Sequence, residues 1–388
     1  MYPLAALLSA GFLAPYLLPT LVGRIGSDFA LTPTQAGAMG SALLLASALS
    51  GISLAGRVSS IGTVRLARAG LLLLIGGFAL AAAASAGELP LLLLGCVLGG
   101  AGSGTATAVA ASGISAERDP HRITVLGLLA SSTIAAALYL TLPHIGGGHR
   151  LPFACISAWG AIALAVSSRL GTGSTVRRTP TRRTAALAAL RGRAPGFTLA
   201  GCLLLWSMAQ NALWGVSGRI GVQRAGLSES AVGLVFALAL GAGLLGTAAA
   251  GTLGNRVGRS LPIGLGTAAI ACCVALSSSA HGPVAFAVGE IAWNGVYPFV
   301  LSYLLSLAAR LDRGGRWAVL VGSASSLGVA GGPLAGTLIS VHAGFTAMGL
   351  VLAAVLLLVA LPMAAVARGA EVTAGALPPI RPEAVPAR

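Results

Sequence analysis

The chain has 388 residues, of which 56% are hydrophobic and only 9% charged, and its formal net charge is +15. Soluble domains carry roughly 25% charged residues, so a mean hydropathy of +0.90 excludes a chain that covers itself with a water-facing surface. All 24 basic residues are arginine, which reads as coding bias rather than a selected phosphate patch and argues against a nucleic-acid partner. Apolar runs of about 18 residues or more read as membrane-spanning helices, because each must cross about 30 Å of hydrocarbon at 1.5 Å per residue. In chain order twelve such spans fall at about 3–23, 35–56, 69–86, 91–113, 123–143 and 151–168, then 197–218, 231–253, 261–280, 284–308, 317–341 and 345–367. Met1-Tyr2-Pro3 offers no basic segment before the first run, so the first span is expected to stay in the mature protein.

The predicted organisation is a six-span unit over 1–168, a linker over 169–195, a second six-span unit over 196–368 and a disordered tail over 369–388. The linker holds seven arginines and no acid. Positive loops stay cytoplasmic. With both termini inside, all the arginines lie on cytoplasmic segments except Arg24, Arg150, Arg219 and Arg224. An internal repeat supports the even count. Gly23-Arg24-Ile25-Gly26 recurs as Gly218-Arg219-Ile220-Gly221, and Leu31-Thr32-Pro33-Thr34-Gln35-Ala36-Gly37 aligns with Leu227-Ser228-Glu229-Ser230-Ala231-Val232-Gly233 at nearly the same offset. Parallel repeats related by an axis along the membrane normal are typical of secondary transporters that work by rocking.

Carrying the offset forward places Ala55–Thr63, after span 2, opposite the turn Gly251-Thr-Leu-Gly-Asn255-Arg256-Val-Gly258-Arg259 after span 8. That turn resembles the signature G-x-x-x-D-R-x-G-R of the major facilitator superfamily, with Asn255 in place of the aspartate; the first copy keeps only Gly62. The resemblance implies an all-α membrane protein with twelve transmembrane helices in two six-helix parallel repeats, the major facilitator fold. It also implies that the turn latches the cytoplasmic gate. In physical terms, Gly251 suits close helix approach and Gly258 a tight turn. Arg256 and Arg259 can bond helix-end carbonyls or acids such as Asp312, Glu117 or Asp119. A plain positive-inside turn is the simpler reading. A second run, Gly328-x-x-x-Gly332-Pro333-x-x-Gly336 in span 11, resembles the glycine–proline motif of drug–proton antiporters, although close packing by small residues also explains it.

The resemblance further implies a central cavity lined by spans 1, 4, 7 and 10. Glu290, Trp293, Asn294 and Tyr297 of span 10 share one helical face, as do Ser207, Gln210, Asn211 and Trp214 of span 7. Tyr16 sits between Pro15 and Pro19 in span 1, while span 4 is a glycine run from Gly95 to Gly104. Glu290 is the one acid deep inside a span, where a carboxylate is costly enough to mark function. Two readings fit it: a proton-coupling site or cationic-substrate counter-ion, or a protonated acid in an interhelical hydrogen bond. Trp206, Trp214 and Trp293 can stack on an aromatic or cationic substrate or simply pack. The absence of a basic residue at mid-depth disfavours organic phosphates.

Cys96, Cys155, Cys202, Cys272 and Cys273 fall in apolar runs and read as packed thiols, and the five histidines lie in loops or at span ends, so neither a metal nor a cofactor is expected. The expected function is that of a monomeric secondary transporter in a bacterial inner membrane, moving a small organic solute by alternating access with protons as the coupling ion. Export of a neutral or cationic amphiphile is favoured slightly over uptake or uncoupled facilitation. An enzyme would need clustered His, Asp, Glu or an activated nucleophile at membrane depth, and a receptor or scaffold would show no switching between faces.

Overall fold

Prolines and glycines decide where the helices break. The helices α1 (Tyr2–Tyr16) and α2 (Leu18–Asp28) meet at 50° instead of forming the single predicted first span. Pro19 has no N–H to return to the carbonyl of Pro15, and the junction residue Leu17 has φ −89° and ψ 6°. The computed structural model describes residues 2–54, 56–117, 119–168, 194–254, 256–311 and 316–375.

The chain continues as α3 (Pro33–Leu54), the short α4 (Val58–Ile61), α5 (Thr63–Ala83), α6 (Leu89–Ile114), α7 (Pro120–Ile145) and α8 (Arg150–Ser167). The second part holds α9 (Ala194–Gln223), α10 (Glu229–Leu253), α11 (Ser260–Ser279), α12 (Pro283–Arg310) and α13 (Arg316–Gly375). Asp119 and Ser228 cap α7 and α10 by accepting from the backbone N–H groups of Arg122 and Ala231. Among the described residues ten helices are long and apolar enough to cross a membrane, and α1 with α2 makes an eleventh crossing. The 60 residues of α13 extend about 90 Å, far more than one bilayer needs. Gly344, with φ 81° and ψ 167°, breaks it, so α13 supplies two crossings and the total among the described residues is twelve. The helix ends agree with the predicted spans to within several residues, except that α13 stays helical to Gly375, through the first seven residues of the expected tail. Most of the predicted linker and residues 376–388 lie outside the described residues.

Side chains such as Leu245 (73% exposed) and Leu361 (77% exposed) point away from the protein, an arrangement that only lipid makes inexpensive. The glycine run of α6 serves packing. A Cβ on Gly102 would run into the backbone of α5 at Leu74, and one on Gly100 would meet the Leu43 carbonyl of α3. The two halves, α1–α8 and α9–α13, meet where α3 packs on α13, α7 on α10 and α2 on α9. The face where α1 begins and α13 ends is termed the near face, and the opposite one the far face.

Candidate functional site

The contacts between the halves are one-sided. Trp214 Nε1 donates to the Pro15 carbonyl at 3.2 Å, and the Leu334 N–H donates to Ser41 Oγ at 3.0 Å. Gly37 faces Thr337 and Pro333, Gly218 faces Pro19, and Gly233 faces the Tyr139 carbonyl. Chain direction places these residues in the far-face portion of their spans, except Pro15, which stands midway along Tyr2–Asp28. Cavities open at the other end. One of about 500 Å³ is lined by Ile52, Ser53, Gly56 and Arg57, and another of about 230 Å³ by Ala250, Gly254, Arg259, Ser302, Tyr303 and Ser306. The described contacts between the halves lie toward the far side, and each near-side cavity is lined by one half alone.

Among the described residues, both cross-half hydrogen bonds use backbone beside a proline. Pro19 leaves the Pro15 carbonyl without its helical donor, and Trp214 fills the vacancy from the other half. The adjacent Tyr16 carbonyl accepts from the Tyr139 hydroxyl at 2.6 Å. Leu334 follows Pro333, whose ring disturbs the α13 ladder.

An aromatic chain leads from the middle of the bundle to these contacts. Trp206 stacks on Tyr297 at 5.3 Å and 16°, Tyr297 meets Trp293 at 6.2 Å, and Trp293 meets Trp214 at 5.7 Å. Trp214 then contacts Phe236 at 5.0 Å, and Phe236 contacts Tyr139 of the other half at 5.1 Å. Gln210 ties α9 to α12 by accepting from Trp293 Nε1 at 2.9 Å. Tyr16, Asn211, Asn294 and Tyr297 are half-buried, whereas Gln210, Trp214 and Trp293 are buried. The seven polar and aromatic residues expected to line one cavity are therefore split. Asn211 turns to its own helix, donating to the Ser207 carbonyl at 2.9 Å, and Asn294 does the same toward the Glu290 carbonyl at 3.1 Å. Tyr139 and Phe236 escaped the sequence reading because their spans were not expected to line the cavity.

Glu290 makes interhelical hydrogen bonds, the feature that the second of its two readings expected. It lies seven residues into α12 from the far face, about 10 Å along the helix. Its side chain is wholly buried. Oε1 accepts from Ser217 Oγ at 2.8 Å and from Ser277 Oγ at 2.6 Å, while Oε2 has no hydrogen-bond partner. Gly289 lets α12 approach α11 at Ser277, since a Cβ there would come within 2.8 Å. The carboxyl thus points into the second half, between α9, α11 and α12, and does not line the space between halves. Among the described residues the one ion pair is His149–Asp28, so no cation balances it.

At the turn after α10, Gly258 has φ +68°, the left-handed conformation that favours glycine. Gly251 has open space around it instead of a packed neighbour, which corrects its expected role. Arg256 is exposed, and Asn255 and Asp312 lie outside the described residues. Arg259 reaches Ser306 with Nε at 3.2 Å rather than Glu117 or Asp119. Glu371, near the end of α13, accepts from the backbone N–H groups of Arg259 and Ser260 and so caps α11. Burial and the neighbouring Arg310 charge lower the proton affinity of the Arg259 guanidinium, against the opposing effects of Glu371 and Tyr303.

The span 11 motif is a packing seam. Cβ atoms on Gly328, Gly332 and Gly336 would strike the α9 backbone at Leu204, Asn211 and Ala212, and Pro333 packs against Gly215 of α9 and faces Gly40 of α3.

No family model matches the sequence, and no curated protein matches it. Solved structures do. The crystal structure of a D-xylose–proton symporter superposes with a TM-score of 0.76 at 15% identity, covering 93% of this chain and 95% of that one. The nucleoside transporter NupG gives 0.72 at 14% identity, covering 94% and 98%, and a mutant of NupG gives 0.73 at 12% identity, covering 94% and 99%. The chain has the fold of these membrane transporters, the major facilitator fold that the Gly251–Arg259 turn and the half-repeat implied.

Proposed function

We propose that the protein is a secondary active transporter that moves a small organic solute by alternating access, coupled to protons, and that its near face is cytoplasmic. The observation that carries this reading is the one-sided contact between the halves. Two halves of matching topology have their described cross-half hydrogen bonds and glycine contacts away from the face on which most arginines fall. A receptor or scaffold has no need of such an arrangement. An enzyme would need a cluster of reactive groups at membrane depth, for which the isolated Glu290 is no substitute.

Proton coupling is assigned to Glu290. A sealed carboxyl with one oxygen held by two serines and the other unpartnered accommodates a proton on Oε2, and a carboxylate left there without a cation is expensive. Coupling then requires that parting of the halves at the far face bring water to α9 and α12. The aromatic chain and the lack of a basic group at mid-depth favour a neutral or cationic amphiphile as cargo. The glycine–proline run, which supported export, has a packing role that does not need antiport. Uptake is the second reading, favoured by the neighbours described as a nucleoside transporter and a sugar–proton symporter. Within the turn after α10, Asn255→Asp is expected to strengthen the latch and slow opening of the near face.

Reconstitution into proteoliposomes under an imposed pH gradient, with a compound panel and simultaneous proton readout, tests the whole reading. Uphill flux that follows the gradient, and its loss in Glu290→Gln with downhill flux retained, is the expected result. Unchanged accumulation and pH dependence in Glu290→Gln would remove the coupling role. No flux, together with no substrate-dependent change in cysteine accessibility from either face, would leave the receptor reading.

A further inference from the structure

The near-side cavity of the second half lies between the end of α10, the start of α11 and the near-face end of α12. Its volume of about 230 Å³ is far above the roughly 10–15 Å³ that one water needs. Arg259 lines this cavity and is only 7% exposed. Its Nε is held, donating to Ser306 Oγ at 3.2 Å, whereas Nη1 and Nη2 have no hydrogen-bond partner among the described residues. Unlike Nη1 of Arg219, which is sealed from solvent without a partner, neither Nη of Arg259 is closed off. A guanidinium carries five N–H donors and no acceptor, so four donors stand unused on a side chain that is more than nine-tenths buried.

The hydroxyls around the cavity divide in the same sense. Tyr303 donates its proton to the Gly254 carbonyl at 2.9 Å, and Ser302 donates to the Pro298 carbonyl at 2.8 Å. Ser306 instead gives a lone pair to Arg259 Nε, and its O–H has no acceptor among the described residues. The charges agree with the donors. Arg310 stands near enough to oppose the charge on Arg259, and Arg256 and Arg368 are exposed at the same face. Glu371 is committed to the backbone N–H groups of Arg259 and Ser260 and forms no ion pair with either guanidinium among the described residues.

We propose that this cavity is a binding site for a phosphate-class oxyanion, held by Nη1 and Nη2 of Arg259 and by the Ser306 hydroxyl, with Arg310 as a second positive charge. The planar fork of an arginine matches two oxygens of such an anion at once. A carboxylate offers only those two and leaves the serine without an acceptor, whereas a phosphate has a third oxygen for it. The anion also neutralises a buried cation that no protein acid neutralises. The repeat does not copy the site, because the offset sets Thr63 opposite Arg259. Leu261 and Leu305, close along the chain to Arg259 and Ser306, are 58% and 44% exposed. A phosphate carried on a lipid therefore finds apolar surface close by, while a free phosphate needs none.

The test uses the full chain in detergent, depleted of lipid, with thermal unfolding as the readout. One arm titrates inorganic phosphate against sodium chloride of equal ionic strength, and the other titrates dioleoylphosphatidic acid against dioleoylglycerol. A saturable rise in melting temperature with either phosphate-bearing probe, and none with its control, is the expected result. A response to inorganic phosphate marks a soluble ligand, and a response to phosphatidic acid alone marks a lipid. Arg259→Gln is expected to weaken binding about tenfold or more, since hydrogen bonds to charged groups are worth about 1.5–3 kcal/mol, and Arg259→Lys to recover part of the loss. Ser306→Ala is expected to weaken it about threefold or more. No saturable response to either probe in the parent would overturn the site. A midpoint unchanged in Arg259→Gln, or in Ser306→Ala if the first variant does not fold, would do the same. The transporter reading stands or falls separately, on flux under a pH gradient.

Discussion

The indole N–H of Trp214 in the second half closes on the carbonyl of Pro15 in the first, at 3.2 Å. The bond is available only because Pro19 withholds the helical donor that would otherwise occupy that carbonyl. A proline in one repeat thus creates the acceptor that the other repeat uses to join the halves.

Trp214→Phe keeps the ring and removes the donor. A net hydrogen bond is worth about 1 kcal/mol, so the balance between far-closed and far-open forms is expected to move about fivefold toward open. Pro19→Ala acts from the other side, returning an N–H to the Pro15 carbonyl and straightening the α1–α2 junction, and it is expected to shift the balance in the same direction. Labelling rates of Gly23→Cys from the far face measure both.

The α9–α13 seam predicts an ordering among glycines. Gly332→Ala and Gly336→Ala place a methyl against the backbone of α9 at Asn211 and Ala212 and are expected to cost about 1–3 kcal/mol each, as overpacking does. At Gly331 the nearest atom is the flexible Met208 side chain, at 3.6 Å, so Gly331→Ala is expected to be near neutral. Thermal unfolding in detergent separates the three.

Arg24 and Arg219 occupy matching repeat positions but do different things. Arg24 donates to three carbonyls. Arg219 lies over the Phe345 ring at 5.3 Å, and its buried Nη1 has no hydrogen-bond partner. Arg24→Ala is expected to cost about 2–3 kcal/mol, since hydrogen bonds from charged donors are the stronger kind. Arg219→Ala is expected to cost under about 1 kcal/mol, the range of a partly exposed cation–π contact. Paired melting curves give the contrast.

Glu371 caps α11 from the end of α13. Glu371→Gln keeps an acceptor but removes the negative charge from a helix N-terminus, and is expected to cost about 0.3–1 kcal/mol, less at high salt. A melting series across salt concentrations checks both size and screening.

Spans, repeat and the special turn at Gly258 were legible in the sequence because each follows from a local rule: hydrocarbon thickness sets run length, and glycine is favoured at positive φ. Helical periodicity also put Glu290, Trp293, Asn294 and Tyr297 on one face. It could not say what covers that face. Ser217 and Ser277 come to Glu290 from two other helices, 73 and 13 residues away along the chain, and draw the carboxyl away from the space between the halves. Tyr139 and Phe236 were missed because their meeting joins opposite halves.

By itself the sequence determined a polytopic helical bundle of two repeats, since a chain this apolar satisfies its backbone in lipid only through helices and its duplicated segments share one offset. Only the tertiary structure decided that the cross-half contacts lie toward the far side, that Glu290 is sealed by two serines, and that Ser306 holds Arg259 at a cavity. Each of these depends on which residues distant in sequence come within hydrogen-bond range, and helix–helix packing sets that distance.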